Sequence, residues 1–122
     1  MSITNFKKVL LITPPYHSGV VECAGRWIPL GLIYLAGALK ESGFEPVIYD
    51  AMSEFHNHED IVKRIEIEKP DVVATTAFTA AINDSLKILK SAKGVNPEII
   101  TIIGGVHATF MYREILANNP FV

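Results

Sequence analysis

The sequence has one cysteine, Cys23, among its 122 residues. A lone thiol excludes an intrachain disulfide. It also excludes a cysteine-built metal or iron–sulfur site within this chain alone. Long apolar runs are missing too, and none reaches the roughly 18 residues a membrane span needs. The opening Met1-Ser2-Ile3-Thr4-Asn5-Phe6-Lys7-Lys8 lacks the long apolar segment of a signal peptide, so the expected location is cytoplasmic. Charge of one sign does not accumulate: 11 basic residues face 13 acidic ones, for a net −2, which argues against an electrostatic nucleic-acid binder. There is no G-x-G-x-x-G, which weighs against a dinucleotide fold. After the first apolar run, Pro14-Pro15 stands where a flavodoxin would carry a phosphate loop rich in Ser, Thr and Gly. The nearest acid is Glu22, too far along to hold magnesium as a response-regulator receiver would.

What is present alternates. Val9–Ile12 is a short apolar run closed by Pro14-Pro15 and reads as a buried strand. A loop from Pro14 to Ile28 follows, long enough to suggest a functional or interface segment. Pro29 suits the first turn of a helix over Leu30–Ser42, ended by Gly43. Pro46–Tyr49 is a second strand and His58–Glu68 an amphipathic helix with Ile61, Ile65 and Glu68 along one side. Asp71–Thr75 is a third strand and Ala80–Ala92 a helix with Ile82, Leu86 and Leu89 at helical spacing. Ile99–Ile103 is the fourth strand, and Thr109–Asn118 the last helix. Apolar strands without alternation imply burial on both faces, hence a parallel sheet between helix layers. The expected class is a three-layer α/β, flavodoxin-like (Rossmann-like) fold of strand order 2-1-3-4 over residues 1–122. Its ligand site would lie outside the carboxyl ends of strands 1 and 3. Pro120 after the last helix predicts a fifth strand beyond Val122, and so a piece of a longer protein.

The strand ends carry the candidate chemistry. Gly104-Gly105 follows the fourth strand and removes Cβ where a bulky group could approach the backbone. Val106 and His107 begin the next element, whose amino end offers N–H groups. His107 faces either the pocket or its own helix. Thr75, Thr76 and Thr79 place three hydroxyls at the third strand's end, where they can donate to a ring nitrogen or a phosphate. Thr79 can equally cap the following helix. Asp50 can bond a ribose hydroxyl or cap a helix. Arg26 and Trp27 either meet an anion and a ligand surface or sit in solvent and cap the core. His56 and His58 are two potential ligands, too few for a tight metal site, and read as part of a solvated loop. Nothing near Cys23 clearly activates its thiol. No residue is assigned to catalysis or to a metal.

Four stretches together resemble the amino-terminal cobalamin-binding domain of cobalamin-dependent radical S-adenosylmethionine (SAM) enzymes. They are Thr13-Pro14-Pro15-Tyr16, Gly25 to Ala36, Pro70-Asp71-Val72-Val73-Ala74, and Gly104-Gly105-Val106-His107. The likeness covers essentially the whole chain, and its nearest subgroup is the anaerobic magnesium-protoporphyrin IX monomethyl ester oxidative cyclase type. The resemblance implies that cobalamin contacts come from Thr13, Pro15 and Tyr16 at the first strand end. It implies Thr75, Thr76 and Phe78 at the third, with Thr76-Ala77-Phe78 in the register of the wider family's Ser-x-Leu. It implies Gly104, Gly105, Val106 and His107 at the fourth, where the family's paired glycines admit the dimethylbenzimidazole tail.

The family's Asp-x-His-x-x-Gly cobalt-ligand loop is broken here. His17 is near the histidine register, but Pro15 stands for the Asp and Gly19 comes one place early. The resemblance therefore implies cobalamin held without a protein histidine. SAM and a 4Fe-4S cluster would sit only in a downstream barrel. A second reading is a cofactor-free domain docking on that barrel through Tyr16, Trp27 and Phe110. A third, ranked last, is an independent flavodoxin-like enzyme or signalling domain. An open groove beside Gly104 and Thr76 favours the first; a sealed, aromatic-lined one favours the second.

Overall fold

The computed structural model describes residues 7–15 and 28–122. Its elements are β1 (Lys8–Ile12), α1 (Leu30–Glu41), β2 (Glu45–Tyr49), α2 (His58–Glu68), β3 (Val72–Thr76), α3 (Ile82–Val95), β4 (Ile100–Gly104) and α4 (Val106–Asn118). A 3-10 turn over Thr79–Ala81 leads into α3. The four strands form one parallel sheet in the order β2-β1-β3-β4, as the alternation of elements predicts. No helix among the described residues is long and apolar enough to cross a membrane.

Two apolar layers hold the sheet. On one face Leu10, Ile12, Tyr49 and Val73 pack against Ile61 and Ile65 of α2 and Ile88, Leu89 and Ala92 of α3. On the other, Val9, Leu11 and Val72 pack against Leu32 of α1, with Ala36, Leu39 and Ala74 beside them. The alternation along each strand sorts these residues to the two faces. Burial on both faces therefore holds at β1 and β3 but not at β4. There Ile100 and Ile102 are 37% and 49% exposed, on the face that α1 serves. Helix α1 sits over β1 and β2, and no described element covers the same face of β4.

Several boundaries differ from the sequence reading, each for a local reason. Helix α1 stops at Glu41, because Ser42 only donates back to Ala38 and Leu39 carbonyls and Gly43 turns away at φ +88°. Helix α3 starts later and runs on to Val95, with the 3-10 turn taking up residues 79–81. Its buried line is Ser85, Ile88, Leu89 and Ala92, displaced from the predicted Ile82, Leu86, Leu89. Ser85 can be buried because its hydroxyl donates to the Thr76 carbonyl at 2.8 Å. Helix α4 begins at Val106, three residues before the predicted Thr109. Gly105, at φ +93°, turns the chain directly from strand into helix, and the helix kinks at Met111. Helix α2 keeps its predicted bounds, held by a capping box between Asn57 and Asp60.

Candidate functional site

The carboxyl ends of the strands divide into two parts. At the end of β1, the buried Thr13 hydroxyl donates to Asp50 Oδ1 at 2.8 Å and accepts from the Met52 N–H at 3.3 Å. Asp50 also accepts from the Ser53 N–H, so this carboxylate caps the turn after β2. These bonds tie the β1 and β2 ends together and engage the Thr13 hydroxyl internally. Pro15 is half-buried next to this cluster. Tyr16, His17, Cys23, Arg26 and Trp27 lie outside the described residues.

At the ends of β3 and β4 the structure opens into a groove of about 360 Å³. Its floor is Leu11, Ala74 and Ile102. One wall is the first turns of α1, with Pro29, Gly31, Leu32 and Leu35. The mouth is Thr75, Thr76, Gly104 and Gly105. Among the described residues no aromatic side chain lines it. The volume lies at the small end of the range for ligand sites. Thr75 is buried, and its hydroxyl donates to the Ile12 carbonyl at 2.8 Å. Thr76 is half-buried, and its hydroxyl has no hydrogen-bond partner among the described residues. Of the clustered hydroxyls, Thr76 is thus the one presented to the groove.

The two glycines do different things. A Cβ on Gly104 would meet nothing within 4 Å, so this position opens onto free space. A Cβ on Gly105 would stand 2.5 Å from Thr76 Oγ1, 2.7 Å from the Ala77 carbonyl oxygen and 2.9 Å from the Ala77 nitrogen. Gly105 also sits at φ +93°, a conformation that L side chains rarely adopt. The crossing it makes is sewn by backbone bonds. Ala77 N–H donates to Gly104 O at 3.0 Å, and His107 N–H donates to Ala77 O at 3.1 Å. Gly105 is therefore required by the fold, whereas Gly104 is not: its Cβ position is open space beside the groove.

Val106, Phe78 and His107 stand at the rim rather than in the groove lining. Val106 is 68% exposed and Phe78 47%. His107 Nδ1 lies 3.1 Å from Thr79 Oγ1, so this histidine ties α4 to the turn after β3. Thr79 is not the cap of the following helix: the N-cap positions of the 3-10 turn and of α3 are Phe78 and Ala81, neither with a side-chain cap bond. His56 and His58 do not form a pair. His56 Nδ1 meets the Tyr49 hydroxyl and Glu54, while His58 Nε2 lies 3.3 Å from Asp84 on α3. The polar loop expected there is in fact anchored on both sides. Among the described residues no group of three or more His, Cys, Asp or Glu could hold a metal ion.

The sequence reading of the strand ends missed the α1 side of the groove. Gly31 offered a signal, because a glycine inside a helix costs about 1 kcal/mol relative to alanine and so needs a reason. Its Cβ position is empty as well, so Gly31 and Gly104 leave the groove open from two sides.

Comparison with known proteins bears on this geometry. The B12 binding domain model matches residues 16–122. The chain is 45% identical over 116 residues to the anaerobic magnesium-protoporphyrin IX monomethyl ester cyclase of Rubrivivax gelatinosus, covering 94% of this chain and 21% of that protein. It is 31% identical to the cytidylyl-2-hydroxyethylphosphonate methyltransferase of Streptomyces wedmorensis, over 91% of this chain and 24% of that protein. It thus spans about a fifth to a quarter of these relatives' length. Among solved structures, the radical SAM methyltransferase TsrM from Kitasatospora setae, with cobalamin and a 4Fe-4S cluster bound, superposes with a TM-score of 0.70. That match covers 93% of this chain and 22% of TsrM at 17% identity, a likeness of fold. With its order 2-1-3-4 sheet and paired glycines after β4, the chain belongs to the B12-binding domain family.

Proposed function

We propose that residues 1–122 are the cobalamin-binding module of a cytoplasmic radical SAM enzyme. The module holds cobalamin over the carboxyl ends of the strands, facing a downstream barrel that carries SAM and the 4Fe-4S cluster. The observation that supports this most is the open apolar groove beside Thr76 and Gly104. A corrin with its amide arms is too large for it, whereas the bicyclic base of the nucleotide tail is of the right size and polarity. Leu11, Leu32, Leu35, Ala74 and Ile102 remove the base from water, and Gly104 lets the tail run close to the backbone. Thr76 Oγ1 donates to a ring nitrogen of the base. When bound, cobalamin supplies a cobalt centre for methyl transfer or for assisting radical chemistry; the protein supplies position and surroundings.

The cofactor-free docking role calls for a sealed, aromatic-lined groove, whereas the lining among the described residues is aliphatic and open. The outward, exposed Leu30 and Tyr34 of α1 and Phe110 of α4 are suited to contact the barrel under either reading. A tetrapyrrole cyclase is the reaction we favour for the whole protein, on the 45% and 40% identical cyclase relatives.

The test is a titration with hydroxocobalamin, followed by visible absorption and calorimetry. Saturable one-to-one binding is expected, and His17→Ala should leave the spectrum of the bound cofactor unchanged. A spectral change with that variant would make His17 a cobalt ligand. Absence of binding by the full natural polypeptide would refute the module.

A further inference from the structure

The buried line of α3 is Ser85, Ile88, Leu89 and Ala92, and Ser85 is its one polar member. It is 0% exposed. A buried hydroxyl costs free energy unless it is paired, and alanine favours a helix more, so a serine here needs a reason. A helical serine can bond a carbonyl of its own preceding turn. Ser85 instead reaches out of α3 to the last residue of β3, donating to the Thr76 carbonyl at 2.8 Å.

That carbonyl lacks the partner that a continued sheet would give it. In a trans peptide the C=O and the following N–H point opposite ways. Ala77 N–H points to β4, where it donates to the Gly104 carbonyl at 3.0 Å, so the Thr76 carbonyl points back toward β1. The β1–β3 register pairs Ile12 with Thr75, and one rung further the donor would be residue 14. That residue is Pro14, which has no N–H. Ser85 supplies the donor instead. The Thr76–Ala77 peptide is therefore held at both ends, from α3 and from β4. On it hang the Thr76 side chain at the groove mouth and the crossing in which Ala77 O accepts from His107 N–H.

We infer that Ser85 is a positioning residue of the cofactor site: through the Thr76 carbonyl it sets where Thr76 and Gly104 stand at the mouth of the groove. This rests on the cobalamin reading above. Precise geometry at a binding site depends on the bonds behind the contacting groups, and a peptide free to turn must be ordered at the expense of affinity. Ser85 packs on the α2 and α3 side of the sheet and is not among the groove-lining residues. Its bond can therefore be removed without altering the groove lining itself.

The experiment titrates hydroxocobalamin, and cobinamide, which lacks the nucleotide tail, into the full natural polypeptide that carries this chain. Ser85→Ala removes the bond. Ala92→Gly is the control, because Ala92 is equally buried on α3 and its change weakens the same helix away from the Thr76 peptide. Each variant is titrated at a temperature where circular dichroism shows it folded. Ser85→Ala should weaken cobalamin about fivefold, the loss expected for one hydrogen bond, and leave cobinamide unchanged. Ala92→Gly should lower the melting temperature and change neither affinity. Ser85→Cys keeps the shape with a weaker donor and should fall between the unaltered protein and Ser85→Ala. It carries the test if Ser85→Ala does not fold. Unchanged cobalamin affinity in the serine variants overturns the inference, and so does an equal loss in Ala92→Gly or an equal loss for cobinamide. If the unaltered polypeptide binds neither corrinoid, the cobalamin reading fails and this inference with it.

Discussion

Adjacent glycines in one turn should respond in opposite ways to substitution. Gly104→Leu adds a side chain into open groove space, where the Cβ meets nothing within 4 Å. The fold should tolerate it, since losing a glycine from a strand end reduces unfolded-state entropy by about 0.4–1 kcal/mol. The side chain would, however, occupy the volume assigned to the base. Burying an aromatic bicycle on the order of 150 Å² at about 25 cal/mol/Å² is worth ~4 kcal/mol. Ordering costs reduce what appears as affinity, so about 2 kcal/mol, or ~30-fold in Kd, is the expected loss.

Gly105→Ala works against the fold instead. Its Cβ would stand 2.7 Å from the Ala77 carbonyl oxygen and 2.9 Å from the Ala77 nitrogen, both backbone atoms that cannot swing aside. The positive φ adds roughly 1–2 kcal/mol, and the overlap roughly 1–3 kcal/mol more. Together these should lower the melting temperature by about 10 °C or more. Circular dichroism melts and cobalamin titrations on both variants decide the matter. A Gly104→Leu protein that melts normally and binds cobalamin with unchanged affinity would refute the assignment of the groove. A Gly105→Ala protein as stable as the parent would refute the crossing argument.

Tyr49, buried at the end of β2, has its hydroxyl pushed up to about 12, chiefly by burial and then by the nearby Glu54. The folded state thus keeps its proton where the unfolded state loses it, so stability should decline as pH rises from about 10 to about 12. Tyr49→Phe should remove that decline and cost about 1 kcal/mol at neutral pH through the lost bond to His56; denaturant melts across alkaline pH measure both. At the opposite end of the sheet, the backbone N–H groups of Lys7 and Lys8, each 2.9 Å from Asp71 Oδ2, hold that carboxyl below its ordinary value. Its contribution should be present at neutral pH and lost as pH falls through the lowered value. Asp71→Ala should cost about 1 kcal/mol at pH 7 and leave a flatter acid limb in urea melts.

Much of this molecule can be read in its sequence because strand and helix signals agree with the packing they produce. Val9–Ile12 and Val72–Thr75 are apolar without alternation, and they are the central strands. Ile99–Ile103 looks the same in sequence, yet β4 is half-exposed, because a run of isoleucines does not say which layer covers it. Likewise, Gly104-Gly105 marks a close approach without saying which residue faces open space and which packs on Ala77. Three threonine hydroxyls at one strand end could not be ranked from sequence, since their availability depends on bonds to Ile12 across the sheet and to His107 on α4. The α1 wall escaped for another reason: Gly31 and Leu35 reach the groove only through the placement of their helix over β1 and β2.

The same geometry bears on what this domain contributes to the longer proteins that carry it. Its relatives include proteins named for a ring-forming cyclase and proteins named for methyl transfer, at 45% and 31% identity. On the proposed reading, a groove at the strand ends would hold a tail by size and polarity. It would fix how the cofactor is held and leave its other face to be shaped elsewhere. That division would account for how one sheet, with its paired glycines and the Thr76 hydroxyl, suits reactions of different kinds. It would also make the tail the part of the cofactor on which this chain acts: changes at Gly104, Thr76 or Ala74 should alter how tightly cobalamin is held, not which reaction follows.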